Sequence, residues 1–190
     1  MFFQIISLLL EVAIGLVAGA CLLRLYMQYQ RIAMSARSGN PLGAFVFALT
    51  DWIVLPLRRV IPAAGRWDLA SLLAMLLLQI LQFSALWLIG ALMGAQGGGL
   101  ATIPILAVFG VVRLALSGLT GLVIVYAVLS WVQTNSVLAD VVERLVAPPL
   151  TPIRRVLPLV GGIDLSPLVL LVLVQVAAIV LGAIQGAVLL

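Results

Sequence analysis

Four long apolar segments constrain this chain more than any other feature of its sequence. They cover residues 2–29, 69–93, 101–133 and 165–190, and each exceeds the ~20 residues that an α-helix needs to cross a bilayer. Charged residues make up only 8% of the chain, against roughly 25% in a typical soluble domain. A soluble fold could not bury so much apolar surface. The sequence therefore predicts an all-α integral membrane protein with four transmembrane helices.

A polar stretch with two adjacent arginines occurs twice between these segments. Both copies have the pattern Pro-x-Arg-Arg-x-x-Pro, and each position of the second lies 96 residues after its counterpart in the first. We call them the first arginine hinge (residues 56–62) and the second arginine hinge (residues 152–158). The duplication predicts two tandem repeats, residues 1–95 and 96–190, with two spans in each.

A short helix is predicted ahead of each hinge. Apolar residues at helical spacing define it over residues 41–55 in the first repeat and 136–147 in the second. Asn40, and Asn135 with Ser136, stand at the starts of these stretches and can cap the free amides. About 14 residues are too few to cross a bilayer. We therefore expect each helix to be amphipathic and to lie at the interface or re-enter the membrane.

Prolines are expected to end both short helices. Proline lacks an N–H group and clashes with the preceding turn, so Pro56 and the Pro148-Pro149 pair predict an extended or turned backbone in the hinges. The hinge arginines then reach the lipid headgroups, where guanidinium groups bind phosphate through paired hydrogen bonds. Alternatively, they only hold the loop in the cytoplasm and snorkel to lipid. These residues are Arg58, Arg59, Arg154 and Arg155.

The positive charge predicts an orientation for the chain. The net charge is +4 with no Lys or His, and neither terminus nor the glycine-rich turn at 94–100 carries a positive residue. Short loops rich in Arg stay in the cytoplasm, so we expect cytoplasmic hinges and both termini outside. Two spans per unit make the repeats parallel. Because the arginines flank apolar segments, we expect anionic phospholipid, and no nucleic acid, as the partner of this charge.

An aspartate precedes the second span of each repeat. Asp68 and Asp164 can cap the first amides of the helix that follows and complement its dipole, and either carboxylate can pair with a hinge arginine. Ser166 adds a further capping side chain in the second repeat.

Four polar residues lie deep inside the apolar segments: Glu11, Gln79, Arg113 and Gln175. Glu11 and Arg113 occupy equivalent positions of the two repeats, 102 residues apart. Since an unpaired charge in a bilayer is costly, we expect them to pair and to hold the first and third spans together. An ion or proton path is the alternative. Gln79 and Gln175 are expected to hydrogen-bond between helices or to line a polar path.

Catalytic chemistry has little support. The chain has no His and only one Cys, which excludes imidazole and thiolate metal sites in practice. It also lacks a phosphate-binding glycine loop and a Ser–His–Asp set. We expect a non-enzymatic protein without cofactors or metals.

The second hinge is part of a longer motif that includes Pro152, Arg154, Arg155, Pro158 and GGIDLSP at residues 161–167. With the Asn-Pro pair of the first repeat, it resembles the signature of the YggT family, bacterial inner-membrane proteins with relatives in plastids. The resemblance covers nearly the whole chain, although the first copy departs from it at residues 66–67 and 70–71. It implies an inner-membrane location and no known enzymatic chemistry. Family roles are connected with envelope or osmotic-stress physiology and, in plastids, with assembly of a cytochrome complex or nucleoid distribution.

Two functions remain open at this stage. One is a structural or assembly factor for envelope maintenance, whose arginine hinges contact headgroups, a membrane-protein partner or a second copy of the chain. The other is a small channel or transporter in ion or osmotic homeostasis that uses the intramembrane polar residues.

Overall fold

The fold was derived from a computed structural model that describes residues 2–35, 39–61, 66–94, 99–132, 136–157 and 164–189. Asn135 and parts of both hinges lie outside these ranges. Within them the chain forms six α-helices: α1 (Phe2–Tyr29), α2 (Pro41–Val60), α3 (Leu69–Leu92), α4 (Thr102–Val132), α5 (Val137–Val156) and α6 (Ser166–Leu189).

Five of these helices are long and apolar enough to cross a membrane. They are α1, α2, α3, α4 and α6, so the chain is a helical, multi-pass membrane protein. Our sequence analysis counted four such segments, because it ended the second helix too early. The remaining helix, α5, is as long as α2 but carries Asp140, Glu143 and Arg144 on an exposed face.

The prolines do not end the short helices, and the prediction of extended hinges is wrong. Helix α2 continues through Pro56 to Val60, and α5 continues through three prolines to Val156. Both arginine pairs therefore lie in the last helical turn, where cations complement the negative end of the helix dipole.

A hydrogen bond from another helix compensates for one of the three prolines inside α5, Pro149. Pro149 has no N–H, so the carbonyl of Leu145 loses its partner within the helix. The hydroxyl of Tyr26 donates to that carbonyl at 2.9 Å, and the side-chain amide of Gln30 lies 3.4 Å away. Because α1 satisfies the freed carbonyl, the helix can continue.

The two repeats pack in the same manner. Helix α1 packs on α3 as α4 packs on α6, and each short helix contacts both long helices of its own repeat. Each repeat contributes a buried core, and contacts between α3 and α4 join the units. The first core contains Ala18, Cys21, Val54, Ala74 and Met75; the second contains Val123, Val142, Val146, Leu150 and Leu170.

The start of α2 contacts the segment that follows α1, and the end of α2 contacts the last turn of α1. At the start of α2, the Asn40 side chain donates to the carbonyl of Ala33 at 3.0 Å. At its end, Arg58 donates to the side-chain oxygen of Gln28 at 2.9 Å. A helix of 20 residues is about 30 Å long. If α2 ran alongside α1, its far end would lie near the other end of α1, so α2 instead crosses the C-terminal end.

Candidate functional site

Asp68 is the centre of a first polar cluster, which also contains Arg24, Thr50, Asp51 and Arg58. Its carboxylate is fully buried at the start of α3. One oxygen accepts the Ser71 N–H at 3.3 Å and the other accepts the Ser71 hydroxyl at 2.7 Å. Arg58, in the last turn of α2, donates to both oxygens. Asp68 thus joins the end of α2 to the beginning of α3.

Arg24 completes the first polar cluster from α1. Its side chain is only 2% exposed, and one guanidinium nitrogen donates to Thr50 Oγ1 at 2.6 Å and to Asp51 Oδ1 at 2.7 Å. Its Nε lies 3.8 Å from Asp68 Oδ2 and has no hydrogen-bond partner among the described residues. The guanidinium carbon is 4.8 Å from the centre of the Phe47 ring, within cation–π range.

From the sequence alone, we assigned no role to Arg24. The available signal was Asp51, an acidic residue in an otherwise apolar stretch of the following helix. Two opposite charges in adjacent apolar helices predict a pair, because each would be costly alone.

A second polar cluster, formed by Tyr126, Arg154 and Asp164, occupies the equivalent place in the second repeat. Arg154 Nε donates to Asp164 Oδ2 at 2.8 Å, and Nη2 donates to the Tyr126 hydroxyl at 2.7 Å. The Arg154 and Asp164 side chains are 36% and 30% exposed. Asp164 Oδ1 accepts the Ser166 N–H at 2.9 Å. The Ser166 hydroxyl is buried without a partner in the described chain, so it does not act as the cap we expected.

Both aspartates have lowered pKa values. Burial by itself would raise the pKa of Asp68, but hydrogen bonds from Arg58 and Ser71 outweigh it and hold the pKa below its usual range. Burial acts in the same direction on Asp164, where hydrogen bonds from Ser166 and Arg154 prevail and lower its pKa. Both carboxylates are therefore ionised at neutral pH.

Each arginine pair is divided between two roles. Arg58 and Arg154 are bound to aspartates. Their neighbours Arg59 and Arg155 are exposed and have no partner among the described residues. The second arginine of each pair is thus exposed and free to bind a ligand outside the chain.

The ion pair predicted between Glu11 and Arg113 does not form. The two side chains line the same groove, but Arg113 donates to the side-chain oxygen of Gln185 at 2.8 Å, and Glu11 has no ionic partner in the part of the chain that the structure describes. Helices α1 and α4 meet elsewhere: a Cβ atom added to Gly19 would lie 4.0 Å from Leu114 Cδ1, and one added to Gly118 would lie 3.5 Å from Leu22 Cδ2. A Cβ atom added to Gly15 or Gly121 would meet nothing within 4 Å.

The two equivalent glutamines lie in different surroundings. Gln79 is buried and lines this groove, whereas Gln175 is exposed on α6. Their shared position in the repeat therefore does not give them a shared role. In the described ranges, no three side chains among His, Cys, Asp and Glu come together as a metal site requires.

Comparisons with known proteins agree with the duplicated architecture. The model of the CCB3/YggT family matches residues 3–89 and 105–185, which confirms the tandem repeat. An uncharacterized protein named YggT from Escherichia coli K12 is 37% identical over 177 residues, 90% of this chain and 86% of its own length. An uncharacterized protein from the proC 3' region of Vibrio alginolyticus is 34% identical over 184 residues, 95% of both chains. No solved structure matches. The chain therefore belongs to the CCB3/YggT family.

Proposed function

We propose that this protein is a non-enzymatic structural or assembly factor of the bacterial inner membrane that binds anionic lipid headgroups through Arg59 and Arg155. The observation that carries the proposal is the division of each arginine pair. The aspartate-bound arginine fixes the end of the short helix, and the free arginine beside it is exposed in the same turn. Because the neighbouring ion pair fixes this turn, the backbone of the free arginine is already ordered. Its planar guanidinium therefore loses less conformational freedom when it binds phosphate.

The contacts of the short helices support a four-span topology. Helix α2 is hydrogen-bonded at its start to Ala33, just after α1, and at its end to Gln28 in the last turn of α1. Its counterpart, α5, bears a charged face. A helix lying at the membrane surface satisfies both observations. The positive-inside rule then puts α2 and α5 at the cytoplasmic face, with both termini outside and two parallel units. A reporter fused after Leu190 that is active only in the cytoplasm would contradict this orientation.

The lipid contact is tested with the double variant Arg59→Gln/Arg155→Gln. After extraction in mild detergent, native mass spectrometry counts the phosphatidylglycerol molecules that remain bound. We expect the variant to lose most of the lipid that the unaltered protein retains. The matched control is Arg31→Gln/Arg144→Gln, which removes two other exposed cations and should leave retention unchanged.

Two outcomes would count against the lipid proposal. Equal phosphatidylglycerol retention by the double variant and the unaltered protein would show that the free arginines do not bind headgroups. If lipid is retained but a co-purifying membrane protein is lost from the double variant alone, the arginines contact a protein partner instead.

A further inference from the structure

A polar groove lies between α1, α3, α4 and α6, away from both polar clusters. Its volume is about 600 Å³. At 1.5 Å per residue, Glu11 lies about 20 Å along α1 from Arg24. The groove is therefore at the other half of the helix bundle. Its polar lining consists of Glu11, Gln79, Gln82, Arg113, Ser117 and Gln185.

The two charges of the groove are available to a ligand. The Glu11 carboxylate is exposed and makes neither an ion pair nor a hydrogen bond within the described chain. Arg113 donates one hydrogen bond, to Gln185, and a guanidinium has five N–H donors. A ligand that carries both a cation and an anion would satisfy the two charges together, whereas a simple anion would be repelled by the carboxylate.

The wall of the groove offers unpaired amides. Gln79 and Gln82 are 5% and 8% exposed, and neither side chain has a hydrogen-bond partner in the described protein. Gly110 leaves room for one of them, since a Cβ atom at this position would lie 2.3 Å from Gln79 Oε1. Neither amide is among the buried polar atoms that lack a partner, so the amide atoms are accessible from the groove and can bind polar groups of a ligand.

We propose that this groove binds the headgroup of a phospholipid that carries both a phosphate and a primary ammonium group. The ammonium group donates to Glu11, the phosphate accepts from Arg113, and the glutamine amides complete the hydrogen bonds. The occupant is a lipid because exposed apolar side chains border the groove: Leu8 is 60% and Val12 61% exposed. These side chains pack against acyl chains, which a soluble zwitterion lacks.

The test compares three lipids with identical acyl chains on the purified full-length protein in detergent. Native mass spectrometry measures the binding of phosphatidylethanolamine, phosphatidylcholine and phosphatidylglycerol. We expect phosphatidylethanolamine to bind about tenfold more tightly than phosphatidylcholine, a ratio typical of lost charged hydrogen bonds. Glu11→Gln should abolish this preference, and Arg113→Gln should weaken binding of phosphatidylethanolamine itself.

Folding and specificity have their own controls. Glu11 has no partner in the described chain, so its neutralisation should leave thermal stability unchanged. Gly110→Ala alters no charge, yet it should weaken binding by displacing the Gln79 amide. Glu143→Gln and Arg144→Gln, exposed charges on α5, should bind like the unaltered protein.

Three results would overturn the proposal. One is equal affinity of the unaltered protein for the three lipids. Another is unchanged phosphatidylethanolamine binding by Glu11→Gln and Arg113→Gln. The third is binding of soluble phosphoethanolamine by a protein that binds none of the three lipids measurably, which would assign the groove to a soluble zwitterion. None of these results depends on Arg59 or Arg155.

Discussion

Both polar clusters contain an arginine–aspartate ion pair at the same place in the repeat, but the residues around that pair differ. In both, an arginine in the last turn of the short helix binds an aspartate before the next long helix. The first cluster also encloses Arg24 and Asp51, and its central aspartate is fully buried. In the second, Tyr126 and Ala147 occupy the equivalent positions, and the ion pair is about one-third exposed.

This difference shows which parts of the repeat are needed to join its helices. The arginine–aspartate bond is present in both units, so it is the polar contact by which each repeat joins its short helix to the following span. The additional charges of the first cluster, Arg24 and Asp51, are both present in the first repeat and both absent from the second. A buried charge without its partner is strongly destabilising, which explains why neither charge occurs alone.

Neutralising the two aspartates should give the largest contrast between the clusters. Asp68→Asn keeps the capping oxygen but leaves Arg24 and Arg58 without their shared carboxylate, so we expect a loss of about 3–5 kcal/mol. Asp164→Asn breaks a partly exposed pair and should cost about 1 kcal/mol or less. Reversible unfolding in mixed micelles measures both losses. Equal losses would remove the distinction between a buried and an exposed cluster.

Converting the second cluster into the first tests whether the extra charges act as a pair. Tyr126→Arg puts a cation near Arg154, whose guanidinium carbon is 5.8 Å from the Tyr126 ring. We expect it to cost on the order of 2 kcal/mol of unfolding free energy. Adding Ala147→Asp should restore at least half of the loss.

The matched control for this conversion is Tyr126→Phe. It removes only the hydroxyl that accepts from Arg154 and should cost about 1 kcal/mol. Additive losses from Tyr126→Arg and Ala147→Asp would refute the pairing.

The contact that sustains α5 gives a smaller effect. Tyr26→Phe removes the donor to the Leu145 carbonyl and should cost about 1 kcal/mol of stability. In a Pro149→Ala background, the restored N–H satisfies that carbonyl, and the cost of Tyr26→Phe should disappear. Thermal unfolding in detergent measures both steps. Tyr29→Phe serves as the control, and an undiminished cost of Tyr26→Phe in the Pro149→Ala background would refute the freed-carbonyl explanation.

Lowering the pH should reduce the stability contributed by the two clusters to different extents, and this is the smallest of the expected differences. Because the pKa of Asp68 is lowered in the folded protein, its ionised form stabilises the fold above the unfolded pKa of about 3.9. This contribution is lost as the pH falls from there through the folded pKa. Asp68→Asn should flatten the decline of stability below pH about 4, and Asp164→Asn should flatten it less. The reverse order would contradict the difference in burial.

The sequence was sufficient for the parts of the fold that consecutive residues determine. Apolar length predicts the long helices, and the offset of 96 predicts the duplication. It also suggested that Asp68 and Asp164 could bind hinge arginines, and the structure pairs them with Arg58 and Arg154. The membrane class followed from the same patterns, and the resemblance of the motif at residues 152–167 indicated the family.

Only the tertiary structure decided which polar groups meet. Helix α5 continues past Pro149 because Tyr26, 119 residues away from Leu145, satisfies the freed carbonyl. Glu11 and Arg113 line one groove without pairing, and Arg113 instead donates to Gln185 of α6. The composition of the first polar cluster likewise depends on the faces that three helices turn toward one another. Apolar length and periodicity are local properties of a chain, whereas the partner of a charge depends on how distant helices pack.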